Sequence, residues 1–332
     1  MPRIDIDAIE EEYDDQARTP GRRISQAAKD KLDDLPVARV LGTDRGHVDV
    51  LLDGDRHQAR YGGQMRGRKV VVGDRVRVRP PRHRTDTVRI VDRLERETVL
   101  ARTGDDTEGD ERVIVANADQ VAVVLAADYL EAVRFLDRVL VAAHIGGLGA
   151  LVVINKVDLD LDDDDRAAHE AAARYADIGY PVVLTSATEQ RGIDELRTHL
   201  EGRWSTFSGH SGVGKSSLFN LLLPDADHDV ADLGRYGGRH TTVAARALRV
   251  PDLADTWLVD TPGVRSFGLG LVDPHDLPGA FPELAGLRCD LDDCLHDGEP
   301  GCLVEQAEIH PDRLASYRRL LEAVRRGTES GE

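Results

Sequence analysis

At 332 residues the chain has room for two or three domains of ordinary size, and an apolar fraction of 41% supports real cores, which excludes a disordered protein. No apolar run approaches the ~20 residues of a membrane span, and the acidic start MPRIDIDAIEEEYDDQ lacks the apolar stretch of a secretory signal, so a cytoplasmic protein with no membrane partner is expected. Formal net charge is −18, yet residues 36–102 hold 16 Arg plus Lys against 9 Asp plus Glu, so that stretch carries +7 and the remainder −25. Its basic residues are nearly all Arg, which is as consistent with genomic base composition as with nucleic-acid binding.

Residues 1–35 are charged, poor in apolar periodicity and read as an acidic tail, with room for a short helix at ISQAAKDKL. From Pro36 the texture changes to short β runs punctuated by turns: ARVLGTDRGHVDVLLDG, RHQARYGG, RKVVVGDRVRVRP and TDTVRIVDRLER. About five strands in so short a span predict a small all-β barrel or sandwich. RTGDDTEGDERV, 102–113, is polar and Gly-rich and reads as a loop or linker. An α/β alternation follows. QVAVVLAAD (120–128), ALVVINKVD and PVVLTSA are continuous apolar runs, as expected of parallel strands covered on both faces. LEAVRFLDRVLVAAHIGG and AAHEAAARYADIG between them have helical spacing, the second behind the acidic loop DLDLDDDDR. GIDELRTHL reads as a helix, RWSTFSG as a strand, KSSLFNLLL as a helix, and AARALRV and TWLVDTPG as two more strands. The sum is a doubly wound sheet of about six strands. The chain then becomes loop-rich around its cysteines and closes on the amphipathic helix HPDRLASYRRLLEAVRR.

GHSGVGKSS, Gly209 to Ser217, has the Gly-x4-Gly-Lys-Ser spacing of a phosphate loop, with a strand before it and a helix after it. Backbone N–H groups along Gly209, His210, Ser211, Gly212, Val213 and Gly214 can wrap a β-phosphate at a helix N-terminus, where the dipole favours negative charge. Lys215 is expected to neutralise β/γ charge, the Ser216 hydroxyl to ligate Mg²⁺, and Ser217 to reach the α-phosphate side. DTPG at 260–263 ends an apolar strand, so Asp260 can hold Mg²⁺ through water and the Gly263 N–H can sense a γ-phosphate. In NKVD, 155–158, the Asp158 carboxylate can accept from guanine N1–H and the N2 amine, a pair that adenine does not offer. Asn155 is expected at the base edge, the Lys156 stem against the ring, and Val157 within the same loop. Ser186 and Ala187 of TSA then bring an N–H to the guanine O6.

These pieces run base loop, Ser-Ala loop, phosphate loop, DTPG, whereas in an ordinary GTPase the phosphate loop comes first. Loops at one end of a sheet meet in space whatever their order, so the domain reads as a circularly permuted GTPase. Its C-terminal end then lies just past the segment that responds to γ-phosphate. Cys289-x4-Cys294-x-His296-x5-Cys302 follows. An odd, clustered cysteine count does not suit a disulfide framework. Three thiolates and an imidazole fit one closed, tetrahedral, structural Zn²⁺ site per chain.

Taken together, GDRVRV, NKVD, TSA, GHSGVGKSSLFN, GRHTT, DTPGVRSFGL and the Cys-Cys-His-Cys module make the chain from about residue 36 onward resemble the ribosome small subunit-dependent GTPase A family. These are circularly permuted GTPases that assist late maturation of the small ribosomal subunit. The resemblance implies an OB-fold RNA-binding barrel at 36–102, a permuted α/β GTPase domain at 113–272 and a zinc-binding α-helical module at 273–332. It also implies the 30S subunit and its 16S rRNA as partners, with GTP hydrolysis slow alone and faster when docked. Members usually have Gln where this chain has His210.

Hydrolysis needs a group that orients water. Many GTPases use a Gln after the DTPG-type glycine; Val264 stands there and can do no such chemistry. His240 in GGRHTT is the nearest candidate to orient water, with packing or an RNA contact as its plainer reading. Thr242, or failing that Thr241, is expected to ligate Mg²⁺. Arg66, Arg68, Lys69, Arg75, Arg77 and Arg79 are the expected phosphate contacts of the barrel, and strand alternation would put Arg75, Arg77 and Arg79 on one face. Rival readings are a GTP-gated RNA-binding module without catalysis, a GTPase acting on the large subunit or a protein, and an ATP-dependent P-loop kinase. A monomer suits a ribosome-binding factor.

Overall fold

The computed structural model describes residues 32–44, 47–65, 68–80, 87–103, 111–127, 132–159, 170, 172–224, 245–261, 269, 272–291 and 293–329. They form two compact units, Met1–Glu97 with Val243–Ala247, and Thr98–Thr242 with Leu248–Glu332.

The first unit is a closed barrel. Strands β1 (Val37–Asp44), β2 (His47–Leu52), β3 (Asp55–Tyr61), β4 (Arg75–Arg79) and β5 (Val88–Arg93) follow the order β1-β2-β3-β5-β4, and β4 returns to pair with β1. Only the β3–β5 pair is parallel among these; the others are antiparallel. Asp53 and Gly54, with φ of 52° and 88°, make the two-residue turn whose twist suits the β2–β3 hairpin. Val40, Val50, Val76, Val78, Val88 and Ile90 point inward and are fully buried, the period-two pattern of a half-covered sheet closed on itself. The Asp74 carboxylate, also fully buried, takes Arg96 Nε at 2.7 Å, Arg96 Nη2 at 2.9 Å and the Val71 N–H at 2.7 Å, so its charge is matched. Residues 32–35, expected as tail, are tied to the barrel. Leu32 is buried, and Arg77 donates to Asp33 O at 2.6 Å and Leu35 O at 3.2 Å.

In the second unit, β8 (Gln120–Ala126), β9 (Gly149–Asn155), β10 (Val182–Leu184), β11 (Trp204–Ser208) and β13 (Trp257–Asp260) form a parallel run ordered β10-β9-β8-β11-β13. Every residue of β8 and β11 is buried, as both faces are covered. The chain builds outward from β8 through β9 to β10, then returns to lay β11 on the other side of β8. That reversal is a topological switch point, and the C-terminal strand ends at such a point are where open parallel sheets bind ligands. Helices α1 (Ala132–Ile145), α2 (Ile193–Leu200) and α3 (Lys215–Leu222) belong to this unit, with a further helical stretch over 172–177. The sixth expected strand is β12 (Arg246–Arg249).

One expectation is corrected. Both ends of the 102–113 loop are strand: β6 (Val99–Thr103) and β7 (Glu111–Ala116) pair antiparallel. The polar, Gly-rich centre of the segment hid the apolar alternation at its edges.

The C-terminal part packs Leu277, Phe281, Leu284, Val304, Leu320, Leu321 and Val324 around Tyr317 and against Val141 of α1. Its last helix, α4 (Pro311–Glu329), carries Arg313 into the seam. The Arg313 side chain is only 2% exposed, forms ion pairs with Asp137 of α1 and with Glu283, and stacks over Phe281 at 4.5 Å from the ring centroid. Burial pulls its pKa down, but the bonds to Glu283 and the Asp137 charge outweigh burial and raise it.

Candidate functional site

Four loops distant in sequence leave the same end of the parallel sheet, after β9, β10, β11 and β13. Asn155, at the end of β9 and 1% exposed, ties three of them together. Its Nδ2 donates to Val213 O of the phosphate loop at 2.9 Å, while its Oδ1 accepts from Thr185 Oγ1 at 3.1 Å and from the Ala187 N–H at 3.2 Å. The amide joins base loop, Ser-Ala loop and phosphate loop to one another, a tie that the motif spacing does not reveal. Gly214 makes the junction feasible. Its φ is 93°, and a Cβ would stand 2.2 Å from Asn155 Nδ2.

Asp158 lies in the same loop with its Oδ1 buried and without a hydrogen-bond partner. A bare carboxylate oxygen out of water is costly, and it suits a ligand that brings donors. Lys156 takes φ 67°, and the Val157 N–H donates to Thr185 O at 3.2 Å, so the loop's shape is set before a ligand arrives.

The phosphate loop runs from β11 straight into α3, which begins at Lys215. Lys215 Nζ donates to Gly209 O at 2.7 Å and His210 O at 2.6 Å, which draws the ammonium across the mouth of the loop. Burial lowers its pKa and Asp260 opposes that; the same low-dielectric surroundings raise the Asp260 carboxyl while Lys215 lowers it. The two groups are thus close enough to feel each other across the site. Thr261 Oγ1 donates to Phe207 O at 3.4 Å, holding the end of β13 beside β11. The His210 ring lies against Phe135 of α1 with centroids 4.5 Å apart, a contact nothing in the local spacing foretold. Ser211, Gly212, Val213, Ser216 and Ser217 fall where the motif puts them, on the loop and the first turn of α3. Gly263, Thr241, Thr242, His240 and Arg66 lie outside the described residues.

Cys289, Cys294, His296 and Cys302 come together, with one ligand atom from each within 4.8 Å of all the others. His296 Nδ1 stands 3.5, 3.5 and 3.8 Å from the sulfurs of Cys289, Cys294 and Cys302, and Cys289 lies 3.9 Å from Cys302. Bonds of ~2.3 Å to sulfur and ~2.0 Å to nitrogen give tetrahedral edges of about 3.8 Å for S···S and about 3.5 Å for S···N, which these distances match. Backbone N–H groups of Leu303 and Val304 donate to Cys289 Sγ at 3.2 Å and Cys302 Sγ at 3.4 Å, which favours thiolates. Burial and its neighbouring thiols push Cys294 up to about 12, so a cation is what would hold it ionised.

The expected barrel contacts separate. Arg68 and Lys69 are exposed, with Arg68 paired to Asp92 at 2.9 Å. Arg75 pairs with Glu97 at 2.5 Å, and Arg77 with Asp33 at 2.7 Å. Arg79 is 7% exposed, more covered than the half-buried Arg75 and Arg77. The β4–β5 register skips Val91 between the pairs Arg77–Asp92 and Val78–Ile90, so the extra residue of the bulge lies on β5, where Ile90 and Val91 are buried in succession.

The family model of the RsgA GTPase matches residues 93–270. Among curated proteins, the small ribosomal subunit biogenesis GTPase RsgA of Pseudomonas putida is 39% identical over 243 residues, covering 71% of this chain and 70% of that one. Its counterpart in Ectopseudomonas mendocina is 40% identical over 264 residues, covering 77% and 75%. Among solved structures, YjeQ from Thermotoga maritima superposes with a TM-score of 0.70 at 32% identity, covering 87% of this chain and 98% of that chain. YloQ, described as a circularly permuted GTPase, gives 0.67 at 25% identity, covering 88% and 96%.

Proposed function

The chain belongs to the RsgA GTPase family, and from that premise we propose that it binds the small ribosomal subunit through 16S rRNA, assists a late step of its maturation, and hydrolyses GTP to GDP and phosphate faster when docked. The observation that carries the nucleotide part is Asn155, whose one side chain joins the two base-recognition loops to the phosphate loop. The partner is supported by the names of the relatives and by the exposed basic residues Arg68 and Lys69 on the barrel. The protein acts as a cytoplasmic monomer in this reading; no helix among the described residues is long and apolar enough to cross a membrane.

Asp158 accepts the guanine N1–H and N2 amine through the two oxygens of its carboxylate, and the Lys156 stem covers the ring. Backbone N–H groups of 212–216 and the start of α3 hold the phosphates, and Lys215 exchanges the loop carbonyls for phosphate oxygens. Ser216, Thr242 and Asp260 are the groups that would hold Mg²⁺, which would supply positive charge to offset that of the phosphates. Gly263 senses the γ-phosphate, and His240 orients water once the docked subunit sets its position. The Cys3His cluster holds one structural Zn²⁺.

Lys215→Ala is expected to lower GTP turnover by about 10²–10³-fold, since a positioned charge at a developing anion is worth that much; steady-state phosphate release at saturating GTP reads it. The proposal as a whole is tested by GTP turnover of the protein alone, with purified small subunits, and with large subunits. Stimulation by small subunits only is expected, and His240→Ala should remove most of it. Intact GTP binding with no stimulation would leave the gated RNA-binding module as the better reading.

A further inference from the structure

Arg191 lies outside the NKVD and TSA motifs, yet it holds both loops. Its N–H donates to Ser186 O at 3.1 Å and its carbonyl accepts from the Ser186 N–H at 3.0 Å, an isolated bridge that closes the turn over 186–191. Inside the turn the Glu189 N–H donates to Ser186 Oγ at 3.0 Å. Gly192 then takes φ 72°, and a Cβ there would stand 1.9 Å from Leu184 O, so only glycine lets the chain pass so close to β10 and enter α2. The Arg191 side chain reaches back to the base loop, where Nη2 donates to Val157 O at 2.5 Å. The Val157 N–H is already held by Thr185 O at 3.2 Å. Because the peptide unit is planar, fixing the Val157 carbonyl fixes the direction in which Asp158 leaves the chain. The Asp158 oxygen that is buried and bare depends on that direction for its aim.

We infer that Arg191 is a specificity-determining positioning residue, which holds the Val157–Asp158 peptide so that the Asp158 carboxylate meets the guanine N1–H and N2 amine at once. The inference deepens the guanine assignment made above and rests on it. A two-point contact between a carboxylate and a planar donor pair depends on orientation more than a single bond does. Hypoxanthine keeps the N1–H and lacks the amine, so the difference between GDP and IDP isolates the amine bond. The side chain is 55% exposed, so its replacement opens no cavity in the core.

The test is displacement of a fluorescent GDP analogue from the full-length protein by GDP, IDP and ADP, for wild type, Arg191→Ala and Arg191→Lys. Arg191→Ala should weaken GDP about tenfold, the scale of one charge-assisted hydrogen bond, and IDP clearly less, so that the GDP-over-IDP preference shrinks. Arg191→Lys keeps a donor and should recover part of that preference. Loss of folded protein would lower all three nucleotides by one factor, and unfolding midpoints measured in parallel would expose it. Equal weakening of GDP and IDP, or unchanged affinity for both, overturns the inference. A wild-type protein that did not prefer GDP to IDP and ADP would instead overturn the guanine assignment itself.

Discussion

Stripping metal from the protein with a strong chelator is expected to unfold the loop-rich segment around Cys289–Cys302 while the parallel sheet stays folded. Among the described residues the segment from 286 to 303 contains no helix or strand. Its order rests on four donor atoms at tetrahedral spacing, on Glu299, which accepts from the Leu295 N–H at 3.0 Å and the Asp297 N–H at 2.9 Å, and on a Tyr317 hydroxyl bond to Leu295 O. A structural Zn²⁺ contributes on the order of 10 kcal/mol to such a module. Hydrogen exchange over 286–303, with thiol reactivity in parallel, checks it: rapid exchange and three reactive thiols after chelation, protection and inert thiols before. Cys302→Ser should reproduce the chelated pattern. Trp204 and Trp257, stacked with centroids 5.1 Å apart at the start of β11 and β13, report on the sheet, and their emission should not change. Unaltered exchange after complete metal removal would show that the packing around Tyr317 suffices.

The second large effect is expected at Arg313. Arg313→Ala leaves two carboxylates, Asp137 at 1% and Glu283 at 6% exposure, buried without their cation. Breaking a buried pair from one side costs about 3–5 kcal/mol. Tyr175, fully buried, donates to Asp137 Oδ1 at 2.6 Å and cannot supply a charge, and the other Asp137 oxygen has no hydrogen-bond partner. Burial, and then the Asp137 charge, raise the Tyr175 pKa beyond any physiological range, so it stays a neutral donor. A lower urea midpoint at unchanged slope is the expected signature. The triple change Arg313→Met, Asp137→Leu and Glu283→Gln should recover most of the loss, because removing every charge also removes the desolvation penalty. If Arg313→Ala proves nearly neutral, water must reach the seam between α1 and α4 and solvate the carboxylates.

Much of this protein could be read from its chain. Each loop chemistry needs residues within a few positions of one another. Gly209 to Ser217, Asn155 to Asp158 and Cys289 to Cys302 were therefore legible as candidate sites from local spacing, and the strand before the second of these was visible as an unbroken apolar run. The order of those loops was enough to recognise the permutation, since a parallel sheet gathers its loops at one end whatever their sequence order. The barrel's strands showed in the alternation of valines.

What local spacing could not carry were the partners. Asn155 reads from its motif as a base contact, and the tertiary structure adds a tie between three loops, because the sheet order β10-β9-β8-β11 brings Val213 and Ala187 within its reach. Arg75, Arg77 and Arg79 looked like one exposed basic face, and the fold covers the last of them to 7% exposure. Arg191 and Arg313 had no motif to mark them, as their bonds cross 34 residues to Val157 and 176 to Asp137. Composition and spacing determined which chemistries this protein holds. The long-range pairing of strands and helices decided which side chains face the ligand and which hold the fold, because that choice depends on neighbours that only folding supplies.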